Sequence, residues 1–294
     1  MNQYIRIPQT LNNNFDGFNT LARIAADSMI WVGQNVCLDF KDCIFFSGHL
    51  CAVLGGILNG LIERKNKIEI KNLHPNIKGF LSSNRFLTYF AGLSLPDFNN
   101  TTIPFAKFNI NDELDVKHYV EEQLLNKPYM PVVSDKLKKE MVKSIFEIYV
   151  NAITHGNCDF VFSCGQHYPR KNPPEIYFTF VDLGKTIKNN VAEYLGQRMS
   201  GIDSIVWAMS ENNSTKTENH SGGLGLKLIK EFIILNNGIL QIVSANGVWE
   251  LNRGKVFTYE IFVDFPGTFV NLVFNLKDKQ QYFLSEEITS DSIF

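Results

Sequence analysis

Long hydrophobic runs are missing from this chain of 294 residues. The longest apolar stretch, Cys51 to Ile62, is interrupted by Asn59 and falls well short of a bilayer span. Met1–Thr10 has no signal-peptide layout, so a cytoplasmic location with no membrane partner is expected. Net charge is nearly absent as well. Lys+Arg 28 against Asp+Glu 30 gives −2 with histidine neutral, which leaves no basic field to hold nucleic acid by bulk electrostatics. The cysteines, at 37, 43, 51, 158 and 164, are odd in number and show no C-x-x-C or clustered Cys/His spacing. A disulfide framework and a structural zinc site are therefore not expected. What is present is a composition of 45% hydrophobic and 20% charged residues, that of an ordinary globular chain with room for one or two domains.

The apolar pattern changes along the chain. Val36–Phe40 and Lys67–Ile70 read as short strands, while Gly48–Glu63 and about 77–89 carry apolar residues at helical spacing. Such alternation predicts a small sheet with helices packed on it. The stretch from Leu93 to Asn111 is rich in Pro, Asn and Thr, and a domain boundary is expected within 93–102. Beyond it the pattern predicts a strand at Ile103–Ile110 and a helix at Glu113–Leu125. A longer helix follows over about 134–155, with Ser134 as N-cap and Leu137, Met141, Ile145, Ile148 and Ala152 on one face. Strands are expected at Phe160–Ser163, Glu175–Val181, Ile239–Ser244 and Val256–Asp264, with a turn at Asn246–Gly247. A helix is expected at Leu224–Leu235. Asp182 to Ser221 is the least regular part, and the tail after Asp278 is polar.

Three segments carry residues suited to chemistry. Glu147, Asn151 and His155 stand at i, i+4 and i+8 of the long helix, so a polar stripe interrupts its face. A carboxylate one turn from a carboxamide can orient a water or hydroxyl and offer oxygen to Mg²⁺; a solvated helix face gives the same pattern. Next, Val181-Asp182-Leu183-Gly184 ends an apolar strand with a carboxylate and a nearby glycine. This suits a hydrogen bond from an exocyclic amine such as that of adenine, but also a plain strand-ending turn. Last, Gly222-Gly223-Leu224-Gly225-Leu226 opens a helix, where free N–H groups at the positive end of the dipole suit a phosphate chain. The spacing is neither the Rossmann G-x-G-x-x-G nor the Walker motif.

In this order, the segments E-I-Y-V-N-A-I-T-H, V-D-L-G and G-G-L-G-L resemble the boxes of the GHKL superfamily of ATP-binding domains (gyrase, heat-shock chaperone, histidine kinase, MutL). Within it they are most similar to the anti-sigma-factor serine kinases. The resemblance covers about 103–265 and implies an α+β two-layer sandwich of the Bergerat type over 96–278, with ATP and Mg²⁺ as cofactors. Residue by residue, it implies that Glu147 polarises the attacking water or hydroxyl, that Asn151 coordinates Mg²⁺ and that His155 lies near the phosphates. It further implies that Asp182 reads the adenine amine, that Gly184 shapes the base pocket, and that Gly222, Gly223 and Gly225 sit against the phosphates. A lid over about 186–221 would carry Lys216 to the terminal phosphate, and Thr258 on the last strand would support Asp182. The chain departs from the family at Lys185-Thr186, where a second glycine is usual.

Val36–Leu54 resembles the strand, turn and helix of STAS domains, the fold of anti-sigma-factor antagonists, with Ser47-Gly48 at the turn. This implies a STAS-like α/β domain over 1–95. The antagonists' Asp-Ser-Ser-Gly is Phe45-Phe46-Ser47-Gly48 here, so Ser47 is expected as an N-cap rather than a phospho-acceptor. Residues 279–294 are left as a polar tail. The chain as a whole is thus expected to be an ATP/Mg²⁺-binding signalling regulator of mixed α/β fold, a serine/threonine kinase or ATPase joined to a partner-binding domain. The alternative is a non-catalytic interaction protein that uses ATP as a structural or gating ligand.

Overall fold

The computed structural model describes residues 2–210 and 224–287, and of Leu224 and Gly225 the backbone alone. Strand β1 (Asn2–Arg6) leads through a two-residue strand β2 (Thr10–Leu11) into helix α1 (Phe15–Ser28). Asn14 starts that helix, its side chain accepting from Gly17 N–H at 3.1 Å. Strand β3 (Asn35–Asp39), the short β4 (Phe45–Phe46), helix α2 (Cys51–Glu63) and strand β5 (Lys67–Lys71) follow. β1, β3 and β5 form an all-parallel sheet in that order, and β2 pairs with β4. Ile5, Ile7, Val36 and Leu38 turn inward to α1 and α2, while Tyr4, Arg6, Lys67, Glu69 and Lys71 stand exposed on the opposite face.

The helix expected over 77–89 is two helices, α3 (Pro75–Ser83) and α4 (Phe86–Ala91). Asn84 causes the break. Fully buried, it accepts from Phe86 N–H through Oδ1 at 3.0 Å, and its carbonyl accepts from Phe105 N–H at 2.7 Å. From there an irregular connection leads to β6 (Thr102–Asn109).

After β6 come α5 (Glu113–Tyr119), a π-helical turn at Val120–Leu125, the short β7 (Val132–Val133) and α6 (Asp135–Thr154). Strands β8 (Phe160–Tyr168) and β9 (Glu175–Asp182) form a hairpin. The supposedly irregular stretch beyond Asp182 contains α7 (Ile187–Leu195) and α8 (Gly201–Met209), capped by the hydroxyls of Thr186 and Ser200 at 3.2 and 3.0 Å. Helix α9 (Leu224–Leu235) then leads to two long strands, β10 (Ile239–Asn252) and β11 (Lys255–Asn275). Asn246–Gly247 is not a turn: β10 continues through a bulge there, and the glycine makes room for α8, since a Cβ on Gly247 would lie 2.4 Å from the Gly201 backbone. The chain reverses at Arg253–Gly254, both in the left-handed region. The stretch after Asp278 is not wholly peripheral, since β12 (Gln281–Tyr282) pairs with β7 and Tyr282 is buried.

The main sheet runs β10-β11-β9-β8-β6, antiparallel throughout. Alternation along its strands serves two cores. Ile176, Phe178, Phe180, Val270 and Leu272 face α5, α6 and α9; Phe162, Val181, Val243 and Phe269 face α1 and α2. The molecule is therefore mixed α/β in four layers: small sheet, α1 and α2, main sheet, and the helices around α6. Glycine lets α2 lie close, for a Cβ at Gly55 would come within 2.2 Å of the Phe105 ring.

Polar contacts fix the register between the layers. Asn271 Nδ2 donates to Asn13 Oδ1 at 2.9 Å, Lys107 Nζ to Asn59 Oδ1 at 2.8 Å, and Gly48 N–H to Tyr168 Oη at 2.9 Å. Ser47 takes the expected N-cap position, at the start of a 3-10 turn over Gly48–Leu50, and is buried, but its side chain makes no capping bond. His49, fully buried and stacked on Tyr177 at 4.7 Å between ring centroids, is pushed down to about 3 by burial and by the charge of Lys171.

Candidate functional site

Helix α6 forms where expected. Ser134 Oγ accepts from Leu137 N–H at 3.1 Å, and Leu137, Met141, Ile145, Ile148 and Ala152 are buried. Glu147, Asn151 and His155 are half-buried along the last turns, and His155 ends the helix with its N–H on the Asn151 carbonyl at 2.9 Å. The His155 carbonyl accepts from Asn190 Nδ2 of α7 at 2.7 Å.

Asp182 ends β9 between Val161 of β8 and Thr268 of β11. Its residue is 5% exposed, and Oδ1 accepts from Gly184 N–H at 3.0 Å. Burial raises the carboxyl to about 7, against the backbone hydrogen bonds that favour its charged form. A carboxylate kept in so dry a place, with only backbone N–H groups as its partners among the described residues, has acceptor capacity left for a ligand.

The loop leaving α6 is fastened to this strand end. Gly156 carbonyl accepts from Lys185 N–H at 2.5 Å, and a Cβ on Gly156 would lie 3.0 Å from Asp182 Oδ1. Cys158 joins them: its thiol donates to the Ala152 carbonyl at 3.3 Å, and burial together with the Asp182 charge pushes it up to about 12. The α6 stripe and the Asp182–Gly184 strand end are thus brought together. Helix α9 is joined to the same helix by Ile229 N–H on Ser144 Oγ at 3.2 Å, one turn before Glu147. Gly225 lies in the first turn of α9. Lys216, Gly222 and Gly223 lie outside the described residues.

Thr258 does not reach Asp182. It is exposed and pairs with Trp249, whereas Thr268 occupies the position opposite Asp182. The expected strand stops at Asp264, but β11 runs on to Asn275, and its later half carries the pairing with β9. Thr268 Oγ1 lies 2.9 Å from Ser244 Oγ, which donates to Gly267 carbonyl at 3.0 Å and accepts from Ile187 N–H at 2.9 Å. This pair of hydroxyls ties β10, β11 and the start of α7 to the Asp182 strand end. The apolar stretch Phe269–Phe274, interrupted by Asn271, lies behind Gly267-Thr268 and is the signal that could mark them in the sequence.

Among the described residues no group of three or more His, Cys, Asp or Glu side chains could hold a metal by itself. Oxygen donors on α6 suit a Mg²⁺ that takes most of its ligands from phosphates and water, since that cation is commonly held by one or two protein oxygens. Searches against family models, curated proteins and solved structures returned no match to the chain.

Proposed function

We propose that the protein is an ATP/Mg²⁺-binding signalling regulator of the GHKL type, its first 95 residues forming a STAS-like region. The observation that carries this reading is Asp182, a buried carboxylate at a strand end, joined through Gly184 and Gly156 to the helix that bears Glu147 and Asn151. Asp182 accepts the adenine amine and Gly184 leaves the backbone open beside the base. Asn151 offers its carbonyl oxygen to Mg²⁺, which neutralises phosphate charge when bound. Glu147, one turn earlier on the same stripe, orients the attacking water or a serine or threonine hydroxyl and takes its proton. His155 and the start of α9 lie toward the phosphates.

Leu183, the residue after the adenine-reading carboxylate, faces α2: a Cβ at Gly56 would lie 3.7 Å from Leu183 Cδ1. A change at Asp182 is therefore felt by the N-terminal layers through direct packing, which fits a regulator with a partner-binding region.

A specific observation supports the non-catalytic alternative. Thr186 replaces the second glycine and its hydroxyl caps α7, so the chain beyond Gly184 turns at once into a helix. Binding calorimetry tests the main reading. ATP should bind and GTP should not, and Asp182→Ala should weaken ATP roughly tenfold or more, as expected for a buried polar contact left unpaired. Equal binding of GTP would remove Asp182 as the reader of the base.

A further inference from the structure

The open edge of the small sheet faces a groove that the proposed nucleotide site does not use. β1 is the outermost strand. Ile7 N–H reaches the Asp39 carbonyl of β3 at 2.9 Å, so the alternate residues Ile5 and Gln3 direct their backbone groups the same way. The N–H and C=O groups of Tyr4 and Arg6 therefore point outward, unclaimed by any strand among the described residues. Beside them lies a groove of about 480 Å³, floored by α1 and closed on its far side by Phe262 of β11. That wall is fixed in place, because Phe262 N–H donates to Asn19 Oδ1 at 2.7 Å and its ring meets Phe15 edge-on at 5.3 Å. The Phe262 residue itself is 79% exposed.

Charged side chains of α1 line this groove. Asp16, Arg23 and Asp27 follow one another along one face of α1, two turns and then one turn apart, and all three are exposed. None of them makes an ion pair among the described residues, although ion pairs form elsewhere on the surface. An apolar wall, a free strand edge and alternating unpaired charges are the complement of one kind of ligand.

We propose that this groove binds an extended peptide segment of a partner protein, added as a fourth strand beside β1. Backbone bonds to Tyr4 and Arg6 supply affinity, as in other strand-addition complexes. On the groove side of the added strand an acidic residue meets Arg23 and a basic residue two positions away meets Asp27. The Arg23–Asp27 step of about 6 Å along the helix matches the spacing of every second residue in a strand. An apolar residue covers Phe262.

Selection of a phage-displayed random heptapeptide library on the full-length protein tests this, with affinities of the selected peptides read by fluorescence polarisation. Selected peptides should carry an acidic and a basic residue two positions apart, and should bind Tyr4→Pro at least tenfold more weakly. Proline there removes an outward N–H and no bond between β1 and β3. Arg23→Glu, at an exposed position, should shift selection to peptides basic at both sites, and Phe262→Ala should weaken binding; these two variants keep the test decisive if Tyr4→Pro fails to fold. Absence of enrichment, or equal binding to wild type, Arg23→Glu and Phe262→Ala, overturns the proposal. So does a dimer in sedimentation that Tyr4→Pro or Arg23→Glu dissolves, since the edge would then belong to a second copy of the chain.

Discussion

Gly184 approaches Gly156 so closely that a Cβ on the first would lie 2.0 Å from the carbonyl oxygen of the second. Two loops that are distant in sequence, one leaving a helix and one leaving a strand, meet there with no room for a methyl group. The Asp182 carboxylate is held relative to Asn151 by this contact, since Gly184 N–H bonds Asp182 Oδ1 at 3.0 Å and Gly156 N–H bonds the Asn151 carbonyl at 3.2 Å.

Gly184→Ala should therefore act on binding through geometry. Moving either backbone by the required amount costs about 1–3 kcal/mol, as over-packing does elsewhere. A lowered melting temperature together with at least a tenfold loss of ATP affinity is expected. Unchanged values of both in calorimetry would show that the two loops yield freely.

Asp182 predicts a pH dependence of stability. Its folded-state pKa of about 7 lies above the ordinary aspartate value of 3.8, so between those two values the folded protein holds a proton that the unfolded chain has released. Stability from this group is fully present below pH 4, declines as pH rises and is lost above about 7. Asp182→Asn, always neutral, should be more stable than wild type at pH 8 by roughly 2–4 kcal/mol, with the gap closing toward pH 4. Denaturant titrations at several pH values check this, and parallel curves for the two proteins would contradict it.

Glu147 and Asn151 should separate when mutated. Asn151→Ala is expected to lose the Mg²⁺-dependent part of ATP affinity, whereas Glu147→Ala should keep binding and lose turnover by roughly 10²–10⁴. Turnover and binding measured side by side decide the matter. Equal loss of binding in both would end the division of roles, and wild-type binding with no turnover would favour the non-catalytic reading.

The two threonines of β11 provide a paired control. Thr268→Val removes a hydroxyl that meets Ser244 beside the Asp182 strand end, and should cost about 1 kcal/mol of stability along with several-fold in ATP affinity. Thr258→Val alters an exposed position and should change both very little. If Thr258→Val proved the more damaging, the proposed nucleotide site at the Asp182 strand end would be wrong.

Helix α6 is legible in the sequence because its cap, apolar face and polar stripe all obey one period. The main sheet is less so. β8 runs past Ser163 through Gly165, Gln166 and His167, residues without strand character, because the N-terminal turn at Gly48 covers that end and Tyr168 must reach it. Gly247 resembles a turn residue, but its lack of a side chain serves the approach of α8. Thr268 is hidden for a related reason: Pro266 and Gly267 look like a strand end, although the apolar residues that follow and the pairing with β9 carry the strand through them. Local pattern reveals elements whose reason is local. Where a residue type is dictated by a neighbour far along the chain, the pattern misleads.

The four-layer arrangement also bears on how the molecule is made. Asn13 meets Asn271 and Asn19 meets Phe262, contacts that span most of the chain. Helices α1 and α2 leave the ribosome early, while β10 and β11, which complete their apolar support, are synthesised near the end. During that interval α1 lacks the strand that covers it, since Phe18 packs against Phe269 of β11, and long-range strand pairing of this kind is slow. Nascent chains stalled before β10 should consequently be captured by chaperones that bind exposed apolar segments, and a gene fragment ending there should give insoluble product.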